Sequence, residues 1–243
     1  MQEKYAYEFP VAFRDVHYIA SLYSANQNHV DKLLNGTGLK AGLHFLGKPV
    51  VALGLIQYKE SDLGSYNEII LAIPVIQAHE KSSWRNWLDL YAGFRKRKGG
   101  QYIIHIPVTT QRSVDAGRDI WGYPKTLLPI THTFSDGRIE TTLMDNDNQL
   151  LLEVKGDLGA GVPIPAMNLM TYSFLNEQLT KTTVDVASGM QWKVNANLKI
   201  KVKNSEHPMC KDIAALGIEN KRPIFTIESK HFKARFNAGV QMT

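Results

Sequence analysis

The chain has 243 residues, 44% of them apolar and 21% charged, with a net charge of +5 and a pI near 9.1. This composition excludes a disordered or fibrous chain, and the mild basic excess permits anionic partners without demanding them. Cys210 is the only cysteine, which excludes an intramolecular disulfide framework and makes a reducing cytoplasm the expected location.

Taken in order, the N-terminus Met1-Gln2-Glu3-Lys4 has no apolar core of a secretory signal. Residues 16–23 alternate, with Val16, Tyr18, Ala20 and Leu22 on one face and His17, Ile19, Ser21 and Tyr23 on the other. Both faces are largely apolar, as in a strand covered on both sides. Asn26 is placed to cap a short helix carrying Val30, Leu33 and Leu34, with Gly36 as its stop. Residues 49–58 and 66–77 read as two strands of an antiparallel hairpin, joined through the polar Lys59-Glu60-Ser61-Asp62. Glu68 stands among the apolar residues of the second strand, either at an edge, in a salt bridge or facing a barrel interior.

The spacing of Trp84, Trp87, Leu88, Tyr91 and Phe94 predicts an amphipathic helix over 82–94. The basic run Arg95-Lys96-Arg97-Lys98 reads as a solvated loop. A strand over 101–109 leads to a helix capped by Thr110, running to Trp121 and stopped by Gly122. Pro124 then holds Tyr123 extended.

The second half carries mostly strand and turn signals. Strands are expected over 126–134, 138–143, 150–154, 168–174, 182–187 and 191–202, with a tight turn at Ser135-Asp136-Gly137. Leu198, Ile200 and Val202 alternate with Lys199, Lys201 and Lys203, a strand with one wet face. A short helix over 210–216 precedes a closing strand pair around Ser229-Lys230. The uncharged stretch 158–176 contains Pro163, Pro165, Gly159 and Gly161, so a membrane span is rejected. With no repeat or linker, residues 1–243 read as one domain, a barrel-like antiparallel β core with a few short helices.

Much familiar chemistry is missing. The eight histidines show no HExxH spacing and have no cysteine partners, so no metal is expected. Asp145 and Asp147 resemble part of a calcium loop, but its glycine and terminal glutamate are absent and a turn is the better reading. Nucleophile-elbow, P-loop and dinucleotide fingerprints are absent. No zinc-finger spacing or RNP-like strand points to nucleic acid.

What remains is Gly117-Arg118-Asp119-Ile120-Trp121-Gly122-Tyr123-Pro124-Lys125-Thr126, a helix end and turn that deliver a lysine among apolar and aromatic neighbours. With a reference pKa of about 10.4, roughly one lysine in 2,500 carries a free amine at pH 7. Burial favours the free amine, and a lysine held this way is suited to forming a Schiff base.

This segment resembles the signature of the acetoacetate decarboxylase family, G-R-[ED]-…-[YF]-P-K. Leu63-Gly64-Ser65-Tyr66-Asn67-Glu68 is similar to the family's Y-x-E strand, and residues 224–240 to its closing strand. That family is an established case of a lysine activated for covalent catalysis. The resemblance implies a closed, cone-like antiparallel β barrel, mainly β with peripheral helices, assembled into homo-oligomers. It implies Lys125 as the Schiff-base nucleophile and Glu68 as the acid beside it. Arg118, Tyr123 and Trp121 are carried over as supports of the site. It further implies a keto acid or related carbonyl substrate, with no cofactor and no nucleic-acid or membrane partner.

Two positions depart from the family pattern. Thr126 stands where the decarboxylases carry a second lysine, and Val16 where the first strand carries a carboxylate-binding arginine; Arg14, two residues away, is the candidate substitute by strand parity. The resemblance makes decarboxylation of a β-keto acid the leading expectation, and the two departures weigh toward the alternatives. Aldol or dehydratase chemistry through the same iminium, and a non-catalytic barrel that binds a small apolar molecule, are the alternatives.

Overall fold

A computed structural model describes residues 8–203 and 206–242; the expectation for Met1–Lys4 lies outside them. The fold follows from strands that bury both faces. Seven strands close into a ring: Val11–Ser24, Lys48–Ser61, Tyr66–Gln77, Gly100–Val108, Leu169–Leu175, Gln178–Val186 and Phe225–Phe236. The last pairs with the first through Val11↔Phe236 and with its other neighbour through Val184↔Phe236, which closes the barrel.

Alternation sorts each strand into an inner and an outer set. On the first strand Val16, Tyr18, Ala20 and Leu22 line the interior, while Ile19 and Tyr23 face a second core outside. On Tyr66–Gln77 the inward set is Tyr66, Glu68, Ile70 and Ala72, and Ile69, Leu71, Ile73 and Val75 join the outer core. A four-stranded sheet covers that outer face, in the order Asn197–Val202, Leu150–Asp157, Arg138–Met144, Ile130–Ser135. Helices Gln27–Leu34 and Pro208–Leu216 pack into the same core through Val30, Leu34, Ile213 and Leu216. The chain thus has two apolar compartments, and the barrel wall between them needs apolar residues on both sides.

Several expectations need correction. The ring is not wholly antiparallel: Leu169–Leu175 runs parallel to Gly100–Val108, with Thr171↔Gln101 and Tyr172↔Tyr102 in register. The predicted helix over 82–94 is a 3₁₀ segment, Trp84–Tyr91, whose Leu88 and Tyr91 are exposed. Residues 126–134 form two strands, Lys125–Leu127 and Ile130–Ser135, split at Leu128-Pro129 because a proline cannot donate to a ladder. Residues 191–202 belong to two different sheets, divided at Asn195, whose φ of 60° breaks the extended run. The expected turn at Ser229-Lys230 lies inside one uninterrupted strand, Phe225–Phe236.

Helix Gln111–Trp121 ends as its sequence predicts. Gly122 adopts φ 64°, ψ 24°, and its N–H returns to the carbonyls of Arg118 and Gly117. A Cβ at Gly122 would stand 2.2 Å from the Phe174 carbonyl oxygen, so this stop is fixed by conformation and by space. The turn it creates sends the chain back into the barrel wall as Lys125–Leu127, parallel to Ile106–Val108.

Candidate active site

Lys125 enters the barrel interior from that short strand and is 3% exposed. Its Nζ donates to Glu68 Oε2 at 2.7 Å and to Ser113 Oγ at 2.8 Å, and it lies 5.3 Å from the centre of the Tyr66 ring. Glu68 is 2% exposed and faces the same cavity; its other oxygen accepts from the Tyr58 hydroxyl at 3.0 Å. Tyr58 and Tyr66 stack with ring centres 4.2 Å apart. Burial, followed by the nearby Glu68 carboxylate, pushes both phenols well above their ordinary range. They stay protonated, so the Tyr58 hydroxyl remains a donor to Glu68.

The lysine stem is steered by its approach. Gly117, on the helix, would place a Cβ 2.4 Å from Lys125 Cδ and 2.7 Å from Cε, so only a residue without a side chain lets the stem pass. Arg118 donates through both Nε (2.9 Å) and Nη2 to the Lys125 carbonyl. This forked contact fixes the backbone from which the amine projects. The Trp121 indole N–H donates to the Asn237 carbonyl at 2.9 Å, and the Tyr123 hydroxyl lies 2.7 Å from Thr171 Oγ1. Both rings line the cavity and stack on each other. Thr126 points to solvent, as strand alternation requires of the residue after Lys125.

Arg14 is the exception among the sequence-selected residues. It lies outside the cavity, half exposed, paired with Asp62 at 2.5 Å. The parity argument fails because the first strand carries a bulge there. Its pairing shifts between Phe13 and Asp15 and again before Val16, so Phe13 and Val16, three residues apart, both face inward.

Three contributors were not anticipated. Ser113 is one helical turn before Gly117 and so shares its face, a spacing visible in the sequence. Tyr58 sits opposite Tyr66 in the hairpin register. His132, from the four-stranded sheet, reaches the site from behind. Its Nε2 lies 3.3 Å from the Glu68 carbonyl oxygen, an acceptor, so Nε2 carries the proton and Nδ1 accepts from the Thr141 hydroxyl at 2.8 Å.

Burial holds the His132 imidazole down to about 4. An unfolded histidine protonates near pH 6.5, so between the two values the unfolded chain binds more protons and stability falls as pH falls. The full effect is on the order of 3 kcal/mol at about 1.36 kcal/mol per unit. Urea unfolding of wild type and His132→Gln at pH 7 and pH 4 is expected to show a correspondingly smaller acid loss in the variant. The same loss in both would contradict the assignment.

The cavity around these groups has a volume of about 140 Å³ and walls that are mainly apolar, among them Val16, Ile106 and Phe236. Lys125 and Glu68 are thus in contact inside one mainly apolar cavity. The chain matches the acetoacetate decarboxylase family over residues 2–205. It belongs to that family. Comparison with solved structures agrees on the fold. An acetoacetate decarboxylase aligns over 97% of this chain and 90% of its own, with TM-score 0.71 and 14% identity. The acetoacetate decarboxylase of Legionella pneumophila aligns over 100% and 92%, with TM-score 0.71 and 16% identity. The enduracididine biosynthesis enzyme MppR, in complex with pyruvate, aligns over 99% and 93%, with TM-score 0.64 and 11% identity. A search of curated proteins finds no significant match. Solved structures with this fold thus carry the names of acetoacetate decarboxylases and of an enduracididine biosynthesis enzyme, so the chemistry of this chain has to be argued from its own residues.

Proposed function

We propose that this protein is a Schiff-base carbon–carbon lyase that decarboxylates a β-keto acid, with Lys125 as nucleophile and Glu68 as its proton partner. The observation that carries this reading is the 2.7 Å contact between Lys125 Nζ and Glu68 Oε2 inside one apolar cavity. Attack requires the neutral amine, and transfer of one ammonium proton to Glu68 supplies it. The nitrogen lone pair adds to the ketone carbon, and the protonated carbinolamine loses water to give an iminium. The bond to the carboxylate carbon then breaks; its electron pair moves into the iminium, carbon dioxide leaves and an enamine remains. Protonation of the enamine carbon and hydrolysis return the amine and release the ketone. Tyr58 holds Glu68 in place through the second carboxylate oxygen, while Arg118 holds the lysine backbone.

The wall chemistry supports the decarboxylation step. Phe13, Val16, Trp121 and Phe236 surround the site and solvate a carboxylate poorly, so the charge is relieved as carbon dioxide departs. The same wall has no arginine on the first strand, since Val16 faces inward and Arg14 outward. That observation favours a second reading, in which the iminium of a keto acid condenses with an aldehyde instead of losing carbon dioxide.

Borohydride reduction with acetoacetate is expected to leave a covalent adduct on Lys125, read by peptide mass spectrometry, together with carbon dioxide release at turnover. An adduct without gas, and product from pyruvate plus an aldehyde, selects the second reading. No adduct with any carbonyl compound rejects both.

A further inference from the structure

The reaction above uses one end of the cavity, and the other end holds a buried cation. Arg97, from a run that reads as a solvated loop, is 7% exposed and lines the same cavity as Lys125. Its neighbours Arg95, Lys96 and Lys98 are exposed as expected. The Arg97 Nε donates to the Gly99 carbonyl at 2.9 Å, and Nη1 to those of Leu90 and Asn168. Among the described residues Nη2 donates to nothing, and no carboxylate lies within ion-pairing distance, Asp89 acting only through space. Gln101 lines the cavity beside it, with its side-chain oxygen buried and unpartnered. A buried guanidinium keeps its charge, and a buried amide without a partner is costly. Both call for a polar group from a ligand.

Register gives the distance to the lysine. Glu68 pairs with Val108, and Pro74 on the same strand pairs with Gln101. Six residues, 68 to 74, separate the two levels, or about 20 Å between backbone positions; less the reach of the Lys125 and Arg97 side chains, about 5 Å each, this leaves on the order of 10 Å for a ligand, the span of about eight bonds of an extended chain. Four inward positions between them are small: Ala20 pairs with Gly54, and Ala52 with Ala72, and all four line the cavity beside the larger Ile70 and Ile103. A volume of about 140 Å³ holds about ten water-sized groups, more than a short keto acid fills.

We infer that the substrate is an extended carbonyl compound, with its reacting carbonyl at Lys125, an apolar chain along Ala20, Gly54, Ala52 and Ala72, and a carboxylate at Arg97 and Gln101. This rests on the Schiff-base reading for the reacting end only. At the far end Arg97 Nη2 donates to the carboxylate, as does Gln101 once its amide turns to present the N–H. The small residues are then specificity determinants, since a larger side chain at any of them would cut the channel.

The test is competitive borohydride trapping with levulinate, a straight-chain methyl-ketone acid of about ten carbons, and the methyl ester of the longer acid. Calorimetry with decanoate, which lacks a ketone, is run in parallel. The longer acid is expected to half-saturate trapping at a concentration at least about ten-fold below levulinate, and its ester is expected to lose much of that advantage. Ala72→Phe is expected to lower the ratio of long-chain to short-chain trapping, and Arg97→Gln to weaken decanoate binding. Equal half-saturation by levulinate and the longer acid overturns the channel while leaving the Schiff base intact. Decanoate binding that Ala72→Phe abolishes, with no trapping of any ketone, sustains the channel and rejects the Schiff base. An ester that performs as well as its acid overturns the anionic terminus. Neither trapping nor decanoate binding overturns the channel and the Schiff base together.

Discussion

Replacing Lys125 by methionine is expected to abolish borohydride trapping and to lower turnover by on the order of 10⁴-fold or more, as loss of a covalent nucleophile does. Its stability signature separates this site from a surface pair. Lys125 and Glu68 have side-chain exposures of 4% and 3%, so removing either leaves the other charged group buried with fewer partners. Each single change, Lys125→Met or Glu68→Leu, is expected to destabilise the fold by about 3–5 kcal/mol. The double variant restores an apolar interior and is expected to recover most of that loss, or to exceed wild type. Urea unfolding of the three variants, beside a trapping assay, checks both halves. A double variant no more stable than the singles would show that the pair does not carry the predicted desolvation penalty.

Gly117→Ala is expected to raise the helical preference of its segment while disabling the site. Alanine is favoured over glycine within a helix by about 1 kcal/mol, and Gly117 lies inside Gln111–Trp121. Yet its new Cβ would meet Lys125 Cδ at 2.4 Å, Cε at 2.7 Å and Cγ at 3.0 Å. The stem has little freedom to yield, because Nζ is held by Glu68 and Ser113 and the backbone by Arg118. A displacement of the amine by about 1 Å corresponds to a loss on the order of 10²-fold. The expected result is a thermal midpoint within a few degrees of wild type with turnover down by about that factor. Unchanged turnover would mean that the stem repacks freely and that Gly117 is dispensable.

The sequence exposed the parts of the fold that depend on local pattern. Alternation in residues 16–23 identified the two faces of the first strand, and the hairpin 49–77 and the helix stop at Gly122 followed from turn and cap chemistry. Glu68 stood out because an acid inside an apolar strand needs a partner. Features that depend on distant pairing were hidden. The bulge that turns Arg14 outward is a property of how the first strand meets its neighbour. The division at Asn195 arises because the two halves of 190–202 join different sheets. Arg97 is buried through carbonyls of Leu90, Gly99 and Asn168, and its setting within a basic run gave no sign of that. His132 reaches Glu68 across 64 residues of sequence, which no local motif encodes.

The pairing of Val11–Ser24 with Phe225–Phe236 bears on when the cavity around Lys125 is enclosed during synthesis. Lys125 is made long before Phe225–Phe236, and Phe232 and Phe236 from that strand form part of the wall around it. Until the late strand docks, one side of the ring is open and water reaches Lys125 and Glu68 freely. Such long-range closure is slow, so the cavity is enclosed only after nearly the whole chain has been made.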